Sequence, residues 1–224
     1  KEKARTYVPT FLSIKANDIT SWFTTNVVAR TQLAVLLRIL IHSTGIELQK
    51  VDFPGNDDAE RNGKDGDLEA NVGTPWIPAG HSVWEFGVNK DVKSKANKDF
   101  DKSLNAISVA ERQNATFVFV TPRRWSGKTS WVKEKRSQKK WKDIRVYDVS
   151  DLEQWMEQSI PAQTWFANQT GMPSSGVRTL DRCWADWTSE KNGPLFHSFF
   201  ATMNVTSTIE KIKDFLSFTE VISL

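Results

Sequence analysis

Two acidic residues, Asp65 and Glu85, lie on or beside predicted strands, and lysine-rich sequence follows each of them. Two carboxylates that meet at strand ends can hold a divalent metal. A metal beside lysines provides the charge that phosphodiester cleavage requires. The pattern therefore predicts a metal-dependent nuclease site.

The segment around Asp65 is predicted to be a strand with one acidic face. Side chains alternate between the two faces of a strand, so Asp65, Asp67 and Glu69 point to the same side from residue 65 to residue 71. Asp67 is a candidate third metal ligand. Glu69 fits a solvent-facing position better.

Glu85 occupies an apolar strand, Ser82-Val83-Trp84-Glu85-Phe86-Gly87-Val88. Removing an ionised carboxylate from water costs several kcal/mol unless a partner or a metal compensates. Glu85 is therefore interpreted as a metal ligand. The alternative is a buried ion pair with a purely structural role.

The net charge of +3 is small, but its distribution is uneven. Seven acidic residues lie between 52 and 69, whereas residues 123–142 carry nine cations and one acid. An acidic focus followed by a basic stretch indicates a metal site beside a phosphate-binding surface. A solvated loop and helix face is the alternative for the basic stretch. The DNA-binding candidates there are Arg123, Arg124, Lys128, Lys133, Lys135, Arg136, Lys139 and Lys140.

Composition predicts a globular chain in a reducing compartment. With 224 residues and 39% hydrophobic content, the chain can bury a core. The longest apolar run, residues 33–41, is too short to span a bilayer, so no membrane association is expected. The single cysteine, Cys183, excludes an internal disulfide and favours a cytoplasmic location.

The predicted order of elements is helix, three strands, helix, strand, basic segment, strand and helix. The first helix of this order runs up to Gly45, the second spans residues 93–113, and Ser150 is expected to cap the last. Hairpin-like strands followed by a βαβ unit predict an α/β fold with a mixed central sheet flanked by helices. Residues 1–172 are expected to form this domain. Residues 173–224 are expected to form a helical extension that leads toward a downstream region.

The order of elements, with Asp65 in a Gly-x-Asp-Gly turn and Glu85 in an apolar strand, resembles the PD-(D/E)xK restriction-endonuclease-like superfamily. More specifically, residues 10–170 resemble the amino-terminal effector nuclease of bacterial anti-phage STAND NTPases. The segments that carry this resemblance are residues 61–66, 83–85, 95–96, 121–125 and 151–157.

The resemblance implies an endonuclease that cleaves double-stranded DNA with Mg²⁺, for which Mn²⁺ can substitute, and that becomes active when its parent protein oligomerises. It makes Asp65 and Glu85 the two acidic ligands. The family pattern places a lysine two residues after the second acid, where this chain has Gly87. Lys90 and Lys95 are the nearby candidates to replace it. Lys95 is preferred because the following Ala96 permits a close approach of helix to sheet.

A second hypothesis is a non-catalytic module of the same fold that binds nucleic acid or mediates oligomerisation. In that case Glu85 is structural, and the glycine at position 87 marks lost activity. The sequence contains no Gly-x-Ser-x-Gly or Walker A pattern, so the serine hydrolase and P-loop NTPase classes lack support.

Overall fold

The computed structural model describes residues 14–26, 28–55 and 64–172. All of these residues belong to the compact unit Lys1–Gly176. The helical extension predicted from residue 173 onward lies outside the described residues, so it stays a prediction. No helix in the described part of the chain is long and apolar enough to cross a membrane.

The described chain forms a five-stranded mixed sheet between two layers of helices, which confirms the predicted α/β class. The strands are β1 (Ile46–Asp52), β2 (Gly66–Val72), β3 (Gly80–Phe86), β4 (Thr116–Val120) and β5 (Asp143–Tyr147). The helices are α1 (Ala16–Thr25), α2 (Ala29–Thr44), α3 (Val92–Ala106), α4 (Val109–Arg112), α5 (Lys128–Ser137), α6 (Val149–Met156) and α7 (Ile160–Thr170).

The strands lie in the sheet in the order in which they occur in the chain. β1, β2 and β3 pair antiparallel, whereas β3, β4 and β5 pair parallel. Parallel pairing requires a crossover connection, and α3 and α5 supply the two crossovers. β4 lies between two parallel neighbours and is buried along its whole length, which explains its continuous apolar sequence Thr-Phe-Val-Phe-Val.

Alternate residues of β3 serve the two faces of the sheet. Trp84 belongs to a core with α1, α2, α6 and α7, and Val83 belongs to a second core with α3 and α5. Glu85 follows the periodicity of Val83 and therefore lies on the α3 side. The burial of Val83 and Trp84 in opposite cores thus determines the face of the sheet on which the Glu85 carboxylate lies.

The long helix predicted over residues 93–113 is in fact two helices. Ile107 has an extended backbone, and the Ser108 hydroxyl then caps α4 by accepting the Glu111 N–H at 3.2 Å. Ala110, inside the predicted span, is exposed. The serine cap competes with continuation of the helix, because its hydroxyl replaces a backbone acceptor.

The cap of α6 is Asp148 and not Ser150. The Asp148 carboxylate accepts the Ser150 N–H at 3.1 Å, and the Asp151 carboxylate accepts the Asp148 N–H at 2.8 Å. Helix α7 was not predicted, because its apolar residues are not confined to one face. It begins with Ser159 as its cap and Pro161 in its first turn.

Gly66 is required by the core on the α2 face. A Cβ at this position would lie 2.5 Å from Cε1 of Phe53, whose ring is 1% exposed and packs edge-on against Trp84.

We expect Gly66→Ala to lower the free energy of unfolding by about 1–3 kcal/mol, since an overpacked core must move to make room. Urea unfolding measures this change. Glu69→Ala, exposed on the same strand, is the control and should stay within about 0.5 kcal/mol of the parent. Equal effects would contradict the close packing at Gly66.

Candidate active site

The hairpin of β2 and β3 brings Asp65 and Glu85 together. Gly66 pairs with Trp84 and Asp67 with Val83, so the same register, carried one residue further, places Asp65 across from Glu85. The carboxylate of Asp65 accepts the backbone N–H of Phe86 at 3.0 Å. This bond fixes Asp65 to the carboxyl end of β3, beside the second acid.

Glu85 is 1% exposed and is held by two side chains of α3. The Ser103 hydroxyl donates to Oε1 at 2.9 Å, and the Lys102 ammonium donates to Oε2 at 3.2 Å. Both carboxylate oxygens therefore have a donor. The lysine lies at the solvent side of α3, where it is 42% exposed.

A third carboxylate, Asp99, reaches the same region from α3. It is 2% exposed and its Oδ1 accepts the Lys95 ammonium at 2.8 Å. Its Oδ2 is buried and has no hydrogen-bond partner among the described residues. Burial raises the pKa of Asp99, and the charge of Asp65 raises it further against the effect of Lys95. An orphaned carboxylate oxygen is costly in such a place.

The neighbouring carboxylates act on the pKa of Glu85. Burial raises the pKa of Glu85 to about 8, and the negative charges of Asp65 and Asp99 act in the same direction, against Lys102 and Ser103. Without a cation, Glu85 thus carries a proton at neutral pH. Carboxylates arranged in this way are typical of functional sites, although structural ion pairs also shift pKa values.

Lys95 occupies the space that a side chain at position 87 would fill. A Cβ on Gly87 would lie 2.7 Å from Cε of Lys95 and 3.1 Å from its Cγ. The lysine stem thus crosses directly over the glycine and carries its ammonium to Asp99. Lys90, the other candidate, is exposed and lines the neighbouring cleft.

The donor set is compatible with Mg²⁺. Magnesium is held by one or two carboxylates and otherwise by water and substrate phosphate. Asp65 and Glu85 supply the two carboxylates, and the unpartnered oxygen of Asp99 adds negative charge nearby. Among the described residues, no group of three acidic, histidine or cysteine side chains is arranged to hold a metal by itself. The site therefore fits a cation that substrate helps to bind.

Asp67, expected as a third ligand, is engaged elsewhere. His81 Nε2 lies 2.9 Å from its Oδ1, and the ammonium groups of Lys50 and Lys64 contact its Oδ2. Burial alone would raise the pKa of Asp67, but hydrogen bonds from Lys64 and Lys50 outweigh burial and lower it. Both oxygens of Asp67 are therefore occupied, so this carboxylate is not free to act as a third ligand beside Asp65 and Glu85.

Several cations of the predicted DNA-binding stretch have structural partners. Lys128 binds Asp148 and Asp151 at the start of α6. Lys135 is buried, with its ammonium 5.0 Å from the centre of the Phe100 ring. These two lysines do not belong to an open DNA-binding surface. The remaining candidates Arg123, Arg124, Lys133, Arg136, Lys139 and Lys140 are half-buried or exposed.

A cleft of about 630 Å³ opens beside Asp65. Its lining includes Asp65, Gly87, Lys90, Lys95 and Lys98. A second cavity, of about 570 Å³, lies between α5 and β5, and none of its lining residues is acidic. Only the first of these two cavities combines carboxylates with cations.

Sequence reasoning missed the roles of Asp99, Lys102 and Ser103. Their signal was the spacing along α3: Asp99 follows Lys95 by four residues, and Lys102 and Ser103 follow Asp99 by three and four, so these side chains share a helix face. Polar residues on an otherwise core-facing stripe indicate contact with a buried charge.

Comparisons with protein-family models, with curated proteins and with solved structures gave no match.

The raised pKa of Glu85 makes stability depend on pH. Because the folded-state pKa, about 8, exceeds the ordinary value of 4.5, the folded chain binds more protons than the unfolded chain between these values. Stability is then lost as pH rises from about 4.5 to about 8. We expect Glu85→Gln to stabilise the metal-free protein at pH 8 on the order of a few kcal/mol and to change it little at pH 4.5.

Urea unfolding in EDTA across this pH range measures the effect. Glu69→Gln, an exposed acid on β2, is the matched control and should run parallel to the parent. A Glu85→Gln curve that also runs parallel would show that Glu85 is not protonated in the folded chain.

Proposed function

We propose that this chain is a metal-dependent endonuclease that cleaves double-stranded DNA in the cytoplasm. The observation that carries the proposal is the convergence of Asp65, Glu85 and Asp99 with Lys95 at the carboxyl end of β3. Two carboxylates, Asp65 and Glu85, can bind a divalent cation, and Lys95 in the cleft beside Asp65 can meet a phosphate. The resemblance to PD-(D/E)xK nucleases, stated from the motifs, points to the same reaction.

The residues have separate roles in this proposal. Asp65 and Glu85 would hold the cation, with the Glu85 carboxyl group in its deprotonated form. Bound Mg²⁺ supplies a Lewis acid for the scissile phosphate. Lys95 stabilises the negative charge that develops on the phosphate during attack by water. Asp99 positions the Lys95 ammonium through the 2.8 Å contact.

The biological setting is proposed from the resemblance. The chain would be the effector domain of a bacterial anti-phage STAND protein, and cutting would begin when the parent protein assembles. Self-association concentrates the nuclease on DNA, so high protein concentration should favour activity of the chain by itself.

The alternative, a non-catalytic binding or oligomerisation module, is favoured by one observation. Glu85 already has Ser103 and Lys102 as partners, which suffices for a structural carboxylate. The two functions differ in their need for metal, since a binding module should hold DNA equally well with and without a chelator.

Plasmid cleavage tests the proposal. At high protein concentration we expect cutting with Mg²⁺ or Mn²⁺ and none with EDTA. Asp65→Asn and Glu85→Gln should each lower the rate by about 100-fold or more, because the charge stabilisation supplied by a metal is worth several kcal/mol. Glu69→Gln should cut like the parent. DNA binding without cutting under every metal condition would overturn the claim that this chain alone is competent.

The arrangement of Lys95 over Gly87 predicts an exchange of lysines. Lys95→Ala should lower cutting by about 100-fold. It also empties the space over Gly87, so the double variant Gly87→Lys/Lys95→Ala should recover part of the rate. A control, Gly87→Ala with Lys95 intact, should lower activity because the added Cβ displaces the lysine stem. If the folded double variant is no more active than Lys95→Ala, the assignment of this lysine is wrong.

A further inference from the structure

We infer that the cleft beside Asp65 binds the phosphate backbone of duplex DNA through Lys90 and Lys98. This inference rests on the proposed function, because it names the surface on which the substrate would lie. It moves the phosphate-binding surface from the basic stretch of α5 to the first half of α3 and the loop before it.

The first argument is position. Lys90, Lys95 and Lys98 all line the cleft that also contains Asp65. Lys90 lies in the loop between β3 and α3, and Lys98 is close to one helical turn beyond Lys95. A strand of DNA with one phosphate at the carboxylates would therefore place its neighbouring phosphates beside these two lysines.

The second argument is availability. Lys90 and Lys98 are exposed and form no ion pair with any residue that the structure describes. Asp91, the other acidic residue that lines the cleft besides Asp65, caps α3, and its carboxylate accepts the Ser94 N–H at 3.0 Å. The two ammonium groups are thus free to meet phosphate oxygens.

The third argument concerns the competing surface. In the basic stretch, Arg136 pairs with Asp143 at 2.9 Å, and Arg123 donates to the carbonyl of Val88 at 2.6 Å. Arg124 donates to Oδ1 of Asn17 at 3.1 Å, so with Lys128 and Lys135 also engaged, five of the eight predicted DNA-binding residues have internal partners.

Two exposed cations of that stretch, Lys139 and Lys140, lie at the wrong end of the sheet. The carbonyls of Lys139 and Lys140 accept hydrogen bonds from Gln113 and Arg112, which precede the start of β4. The carboxylates lie at the opposite, carboxyl end of the parallel strand β3. Five residues of strand separate the two ends by roughly 15–20 Å. Lys139 and Lys140 therefore cannot hold the phosphate that is being cut.

Lys90 and Lys98 are expected to recognise the charge of the DNA backbone and not its base sequence. A lysine contributes a point charge to a phosphate and no pattern of donors that distinguishes bases. Binding through Lys90 and Lys98 should therefore depend on salt, and sequence preference should be weak.

The test is DNA binding by the full chain in EDTA, so that it does not depend on cleavage. A fluorescein-labelled duplex is titrated at several salt concentrations and its anisotropy is followed. The variant is Lys90→Gln/Lys98→Gln. The matched control is Lys139→Gln/Lys140→Gln, which removes the same charge from two exposed lysines. Thermal unfolding confirms that both variants fold.

We expect the cleft variant to weaken binding about 10-fold or more at low salt. The slope of log K against log salt should fall by about 2, since each phosphate contact contributes about 0.9. The control should change Kd by no more than about 2-fold, as a loss of general charge does.

Equal weakening by the two variants would overturn the inference, and so would weakening by the control alone. Failure of the parent chain to bind the duplex, or preference for a single-stranded oligonucleotide, would also overturn it. The proposed function is judged separately by metal-dependent cutting. Cutting that persists while the cleft variant binds normally would retain the nuclease and reject this surface. Weakened binding in a chain that never cuts would retain the surface and reject the nuclease.

Discussion

The burial of Glu85 beneath α3 is the constraint on which the rest of the site depends. A carboxylate at this depth needs donors, and Ser103 and Lys102 reach it only because α3 packs directly on this face of the sheet. Val83, on the same face of β3, and Phe100 and Ala96 of α3 provide the apolar contact that holds the helix there. The polar site is thus positioned by the core immediately beside it.

Much of the architecture could be predicted from the sequence, because the spacing of apolar residues matches the residues that are buried. The apolar strand around Trp84 and the continuous strand β4 could be recognised directly, and the helix from Ala29 to Thr44 ends at the predicted Gly45. The errors occur where local hydrogen bonding decides the outcome. Ser108 divides one predicted helix into two, and Asp148 takes the cap that was given to Ser150. The choice between capping residues two positions apart depends on backbone angles that tertiary packing sets.

The candidate site could be predicted only in part. Asp65 and Glu85 are neighbours because of strand register, which the hairpin and its alternation indicate. Asp67 shares their face, yet it is engaged by Lys50, Lys64 and His81, and a contact with Lys50 on another strand cannot be inferred from spacing along one strand. The basic stretch misled in a similar way. A run of lysines shows charge, whereas its internal partners Asp148, Asp151 and Phe100 become visible only in three dimensions.

The origin of the polar side chains on two different elements has a mechanical consequence. Glu85 lies in the sheet and Asp65 directly precedes β2, whereas the other four side chains extend from one helix: Lys95, Asp99, Lys102 and Ser103. A small slide or rotation of α3 against the sheet would change every contact between the two sets together. The contacts between the two sets of side chains therefore depend together on how α3 packs against β3.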